Sequence, residues 1–166
     1  MRFWHSRRAV ALGFAMLLLA PLSAPAQSLY NPQPQTGLAE APLSIRTLTG
    51  ERHEFTVEVA ETPRQQAIGM MFRRKAPRDR GMLFPFEKPR VASFWMKNTL
   101  VSLDLLFIEQ GGRIATIHRR AQPQSLEPMS SGVPVIAVLE LAGGEADRRD
   151  IRTGDLVEHP FFGTGL

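Results

Sequence analysis

The chain has 166 residues, 20 Lys+Arg against 16 Asp+Glu, and no Cys. The lack of Cys excludes a disulfide framework and a lipid-modified N-terminal Cys. Three of the cations, Arg2, Arg7 and Arg8, lie in the first eight residues, so the remainder carries 17 against 16, too even for the clustered positive surface that nucleic acid requires.

Residues 1–26 have the three parts of a secretory signal. Met1–Arg8 is basic and free of acid, Ala9–Leu22 is apolar apart from Gly13 and Pro21, and Ala24-Pro25-Ala26 offers small residues for cleavage. The apolar run is shorter than the roughly 20 residues that cross a bilayer, so a cleaved signal is expected rather than an anchor. Ser6-Arg7-Arg8 also resembles the start of a twin-arginine signal, although Val10 and Ala11 stand where that motif prefers larger apolar residues. The protein is therefore expected to be exported, periplasmic or extracellular, with membrane contact only through the uncleaved signal. Gln27–Ala41, rich in Gln, Pro and Ala, reads as a flexible tether. Residues 42–166 then suit a single domain.

Within that domain, Leu43–Leu48 and His53–Ala60 alternate apolar and polar residues around Gly50-Glu51 and read as a half-buried hairpin. Thr62-Pro63 with Gln65 is a helix start: an N-cap, a proline at the first helical position, and a capping box. The helix is short. Met82–Phe86 is apolar but holds Pro85, which favours an edge or a bulge. Val91–Met96, Leu103–Ile108 and Arg113–Arg119 read as further strands, the last two joined through Gly111-Gly112. A Pro- and Ser-rich loop leads to Val133–Leu141, the most apolar stretch of the domain and an expected central strand. Gly143–Arg149 suits one helical turn, and Gly154-Asp155 leads into a last strand ending at Glu158. Many short strands with one or two short helices predict a mostly β domain, either a β-sandwich of jelly-roll type or a partly closed barrel.

Two positions stand out chemically. In Phe94-Trp95-Met96-Lys97-Asn98-Thr99, strand geometry places Trp95 and Lys97 on one face. That pair forms either a ligand platform, an apolar plane beside an ammonium, or core filling with Lys97 reaching outward. Asp104 lies within Leu103–Ile108 on the face of Leu106 and Ile108. A carboxylate there needs a cation or several donors, because burying it unpaired costs several kcal/mol. Lys97, Arg64, Arg73 and Asn98 are the candidate partners, and a base in a cleft is the sharper alternative to a locking ion pair. No Gly-rich phosphate loop, G-x-S-x-G elbow or H-E-x-x-H occurs, and His53, His118 and His159 are too widely spaced for zinc. The basic run Arg73-Arg74-Lys75 with Arg78 and Arg80 reads as a solvated loop, and the methionines as core. No metal and no cofactor are expected.

The run from Arg64 to Ile108 resembles the signature region of the family called domain of unknown function 192. The resemblance rests on Thr62-Pro63-Arg64, Gly69-Met70-Met71-Phe72-Arg73, Gly81-Met82-Leu83-Phe84, Phe94-Trp95-Met96-Lys97-Asn98-Thr99 and Leu103-Asp104 with Phe107. It continues more weakly through Val138-Leu139-Glu140-Leu141, Gly143 and Gly154-Asp155. Met70, Ser102 and Asp150 depart from the usual Leu, Pro and Gly. The resemblance implies a compact jelly-roll sandwich, often secreted, and assigns no activity. It does imply that Arg64, Arg73, Trp95, Lys97, Asn98 and Asp104 travel together, and they are expected to meet at one mouth of the domain.

The expected function is a small exported binding module for a polar or anionic ligand such as an envelope glycan. Trp95 would stack on it, and Arg64, Arg73, Lys97 and Asn98 would hold its polar groups. One alternative is an envelope-acting enzyme with Asp104 as general acid or base. The other is a structural envelope protein with no ligand site. A monomer is expected.

Overall fold

A computed structural model describes residues 33–164. The predicted signal peptide and the first part of the predicted tether lie outside the described residues.

β1 (Ala39–Arg46) and β2 (Arg52–Val59) form the expected hairpin, in antiparallel register from Ala39↔Val59 to Arg46↔Arg52. β1 thus begins inside the segment read as a tether, and the preceding residues also dock. Leu38 is buried, and the Gln35 side-chain amide donates to the Gln65 and Gly69 carbonyls at 3.0 Å each. Pro- and Ala-rich sequence hides this pairing, because a strand edge needs only backbone groups to join a ladder.

α1 (Pro63–Ile68) starts as the sequence requires. The Thr62 hydroxyl accepts from the Gln65 amide, and the Gln65 side chain accepts from the Thr62 amide at 2.8 Å. The helix is only six residues long, below what propensity alone sustains. Gln66 pins it to the sheet by donating to the Ala60 and Pro85 carbonyls.

β3 (Arg80–Phe94) merges the two strands expected at Met82–Phe86 and Val91–Met96. It runs parallel to β2 over Arg80–Leu83 and antiparallel to β6 (Met129–Ala142) along its length. Pro85 sits where the register breaks, before Arg90, and just beyond the last residue paired with β2. Its missing N–H therefore costs no ladder bond, the bulge solution for a proline in an interior strand. β4 (Leu103–Ile108) and β5 (Ile114–Ala121) follow, then α2 (Glu145–Arg148), β7 (Leu156–Glu158) and a final 3-10 turn at Pro160–Phe162.

The seven strands among the described residues form one sheet in the order β5-β4-β6-β3-β2-β1-β7. Its two ends meet: Arg113 bridges Leu156, Ile114 donates to the Asp155 carbonyl at 2.9 Å, and Val157 donates to the Gly112 carbonyl at 2.8 Å. Of the two architectures expected, the partly closed barrel is the one observed.

The curled sheet has two apolar layers. One draws on every strand, including Leu43, Phe55, Leu83, Leu106, Leu139 and Val157, and fills the inside of the curl. The other covers the outer face of β3, β4 and β6, with Met82, Phe84, Met96, Leu105, Phe107 and Val138 beneath Met70. Phe84, Phe94 and Phe107 pack edge to face there, with centroids at 5.2 and 6.1 Å. Each fully buried large side chain contributes roughly 1.5–3 kcal/mol. This outer layer, roofed by α1 and two turns, carries the site.

Candidate functional site

Two turns clasp each other over the outer layer, residues 69–73 after α1 and residues 95–99 after β3. The Phe72 amide donates to the Asn98 carbonyl at 2.8 Å, and both residues hold positive φ, 64° and 57°. The Asn98 side-chain amide lies 3.9 Å from Met71 Sδ. Between α1 and β3 they leave a cavity of about 360 Å³. Ile68 and Met71 line one side, Phe94 and Trp95 the other, and Phe84 and Glu140 also border it.

Trp95 stands at this cavity 51 % exposed, with Lys97 Nζ 5.2 Å from its ring centroid. So exposed, the Trp95 ring does not fill the core. A ring at that distance attracts the ammonium through its quadrupole. Thr99, buried beside them, also lines the cavity.

The expected cation set divides. Arg64 is exposed on α1 and is not part of the cavity wall. Arg73 turns inward to form an ion pair with Glu58, and its Nη2 donates to the Gln35 carbonyl at 3.3 Å. It braces the chain before β1 against β2. Lys97 and Asn98 lie beside the cavity without lining it, while Arg90 does line it.

Asp104 has another role. It is fully buried and takes no cation. Its oxygens accept from the backbone amides of Arg120 at 2.7 Å, Gly144 at 3.0 Å and Ala146 at 2.8 Å. Arg120 and Gly144 hold positive φ, 48° and 91°, which turns their amides toward one point. The carboxylate caps α2 from across the sheet, where Gly144 has no side chain to do so. The expected partners Lys97, Arg64, Arg73 and Asn98 are replaced by amides because the chain ends of β5 and β6 converge on it.

The carboxyl that does line the cavity is that of Glu140. It sits on β6 between Met82 of β3 and Leu105 of β4, and is 5 % exposed. Its Oε2 is buried without a hydrogen-bond partner, as is Arg73 Nε. Burial pushes the carboxyl up to about 8, against a smaller downward pull from the Arg73 charge. The sequence signal was present and resembles that of Asp104: an acid inside an apolar strand, here Val133–Leu141.

Another buried carboxylate, Glu145, is satisfied by cations instead. Arg148 Nε lies 3.0 Å from both of its oxygens and Arg149 Nε 3.1 Å from one, and these bonds, Arg148's first, hold it below the usual carboxylate range. The loop Arg74-Lys75 with Arg78 borders the same region, beside a cleft of about 780 Å³.

The fold and site define a small, single-sheet β domain with a lined outer-face cavity. The sequence matches the family DUF192, described as Uncharacterized ACR, over residues 45–159, and the chain belongs to that family. A crystal structure from Sinorhizobium meliloti 1021, provisionally described as a transcription regulator, is 40 % identical and covers 76 % of this chain and 98 % of its own, with a TM-score of 0.75. A protein of unknown function from Novosphingobium aromaticivorans DSM 12444 is 38 % identical, covers 76 % of this chain and 90 % of its own, and has a TM-score of 0.72. No functionally curated protein matches the chain.

Proposed function

We propose that this protein is an exported binding module of the cell envelope whose small polar ligand sits in the cavity between α1 and β3. The observation that carries the reading is Trp95, half exposed at a cavity of about 360 Å³, within the range of small-molecule sites. An exposed indole is costly to keep in water, and it offers a flat apolar face for stacking. The clasp between residues 72 and 98 holds that face in place before a ligand arrives, which lowers the ordering cost of binding.

The enzyme alternative built on Asp104 has less support, since its carboxylate is spent on three amides and does not border the cavity. A regulator of transcription, the description given to the Sinorhizobium protein, also has little support in the charge balance. The near-even charge after residue 26 supplies no strong phosphate-binding surface.

The test is a thermal-shift screen of the chain against sugars, amines, carboxylates and nucleotides, repeated on Trp95→Ala. A ligand at 100 times its Kd adds about 2.7 kcal/mol of apparent stability, which a melting curve resolves. A hit lost in Trp95→Ala is expected. A screen without hits, or hits indifferent to Trp95, would sink the reading. Fractionation tests the address, with a mature N-terminus near Gln27 expected in the periplasm or medium.

A further inference from the structure

Glu140 has no role in the fold that explains it. Proteins leave few buried polar atoms unpaired, and each one calls for a reason. Here the carboxyl is 5 % exposed, its Oε2 has no partner, and it borders the cavity rather than the interior of the curl. The nearby cations are committed elsewhere. Arg73 gives Nη1 to Glu58 and Nη2 to the Gln35 carbonyl, leaving its Nε without a partner, Arg90 lies 4.0 Å over the Phe86 ring, and Lys97 lies over Trp95. No ion pair reaches Glu140 among the described residues. The rest of the wall sets the aromatic rings of Phe84, Phe94 and Trp95 beside the polar side chains of Arg90, Ser93 and Thr99.

A buried carboxyl facing aromatic rings is the chemistry that recognises an ammonium, through charge at one end and ring quadrupoles along the sides. An alcohol or an anion would lack that charge pairing with the carboxylate. We infer that the cavity binds a small organic molecule bearing a protonated amine, its ammonium on Glu140 and its apolar body against Phe84, Phe94 and Trp95. This rests on the cavity being the ligand site and adds the class of ligand.

Binding moves a proton. Burial holds the Glu140 carboxyl up at about 8, so the empty site is mostly protonated at neutral pH. The charged groups around it are Arg73, from the turn after α1, and Arg90 of β3, while its strand neighbours Met82 and Leu105 are apolar. An arriving ammonium keeps its own protons and stabilises the carboxylate, so the carboxyl proton leaves to solvent.

Calorimetry on the full chain with n-butylammonium, n-butanol and n-butyrate separates the possibilities, because the three share size and differ in charge. The amine is expected to bind tightest, releasing about one proton at neutral pH as read from two buffers of different ionisation enthalpy. Glu140→Gln should weaken it about 10-fold or more and abolish the proton release. Ile68→Trp, which fills the cavity from α1 and leaves Glu140 in place, should also abolish binding. Butyrate or butanol binding as tightly as the amine, or an amine affinity unchanged in Glu140→Gln, overturns the inference. If none of the three binds while another compound from the thermal screen does, the amine class fails and the cavity reading stands. If nothing binds, both fail.

Discussion

Replacing Glu140 by Gln should change how stability depends on pH more than any other single substitution in the outer layer. The folded carboxyl titrates at about 8, against an ordinary value of 4.5, because burial disfavours the charged form. A raised folded value means that the native state holds the proton more tightly than the unfolded chain. The stability tied to that proton is complete below 4.5 and is lost as pH climbs through about 8. At about 1.4 kcal/mol per pH unit, that interval corresponds to roughly 5 kcal/mol, comparable with the whole stability of a small domain. Gln keeps the shape and cannot ionise. Urea unfolding at a series of pH values should therefore show wild type and Glu140→Gln close together near 4.5 and diverging by several kcal/mol at about 8, with the variant more stable. His159, held below its ordinary value by burial, loses its share as pH falls, and it does so in both proteins. The difference curve isolates Glu140. Parallel curves would refute the reasoning, since they require a carboxyl that is solvated or paired.

Asp104→Ala takes the acceptor from three backbone amides, that of Ala146 buried and those of Arg120 and Gly144 partly so, and at about 1–3 kcal/mol for a buried one urea denaturation should show a loss of about 2 kcal/mol or more. A loss below about 1 kcal/mol would mean that water replaces the carboxylate. Trp95→Ala, at a half-exposed site, should leave the unfolding free energy within about 0.5 kcal/mol while removing the ligand-induced thermal shift. Gly112→Ala should open the seam of the barrel. Its Cβ would meet the Val157 carbonyl at 2.3 Å, and φ is +88°. Hydrogen exchange should report lost protection at Val157 and Ile114, with β3 and β6 unaffected.

Much of the fold follows from local pattern. Alternation marks the β1–β2 hairpin, and Thr62, Pro63 and Gln65 start α1 on the residue expected. Closure of the sheet is set by long-range pairing at Gly112–Ile114 and Asp155–Val157, which no local period encodes. The chain before β1 has no alternation to read, because its anchors are the side-chain amide of Gln35 and the buried Leu38. At the site, strand geometry placed Trp95 and Lys97 on one face, but β3 ends at Phe94 and the two side chains meet within the turn that follows it. The roles of the two buried acids were not readable from the sequence. Asp104 and Glu140 carry the same signal, an acid in an apolar strand, and only the tertiary structure distinguishes them. Converging chain ends bring amides to Asp104, whereas the face of β6 carries Glu140 to a cavity where its Oε2 meets no hydrogen-bond partner.

The most direct measurement is a crystal structure of the chain grown with n-butylammonium. The account predicts the amine in the cavity, its nitrogen about 3 Å from Glu140 Oε2 and its carbons against Phe84, Phe94 and Trp95. A cavity without the amine, with Glu140 instead hydrogen-bonded to Arg73 or to ordered water, would contradict it.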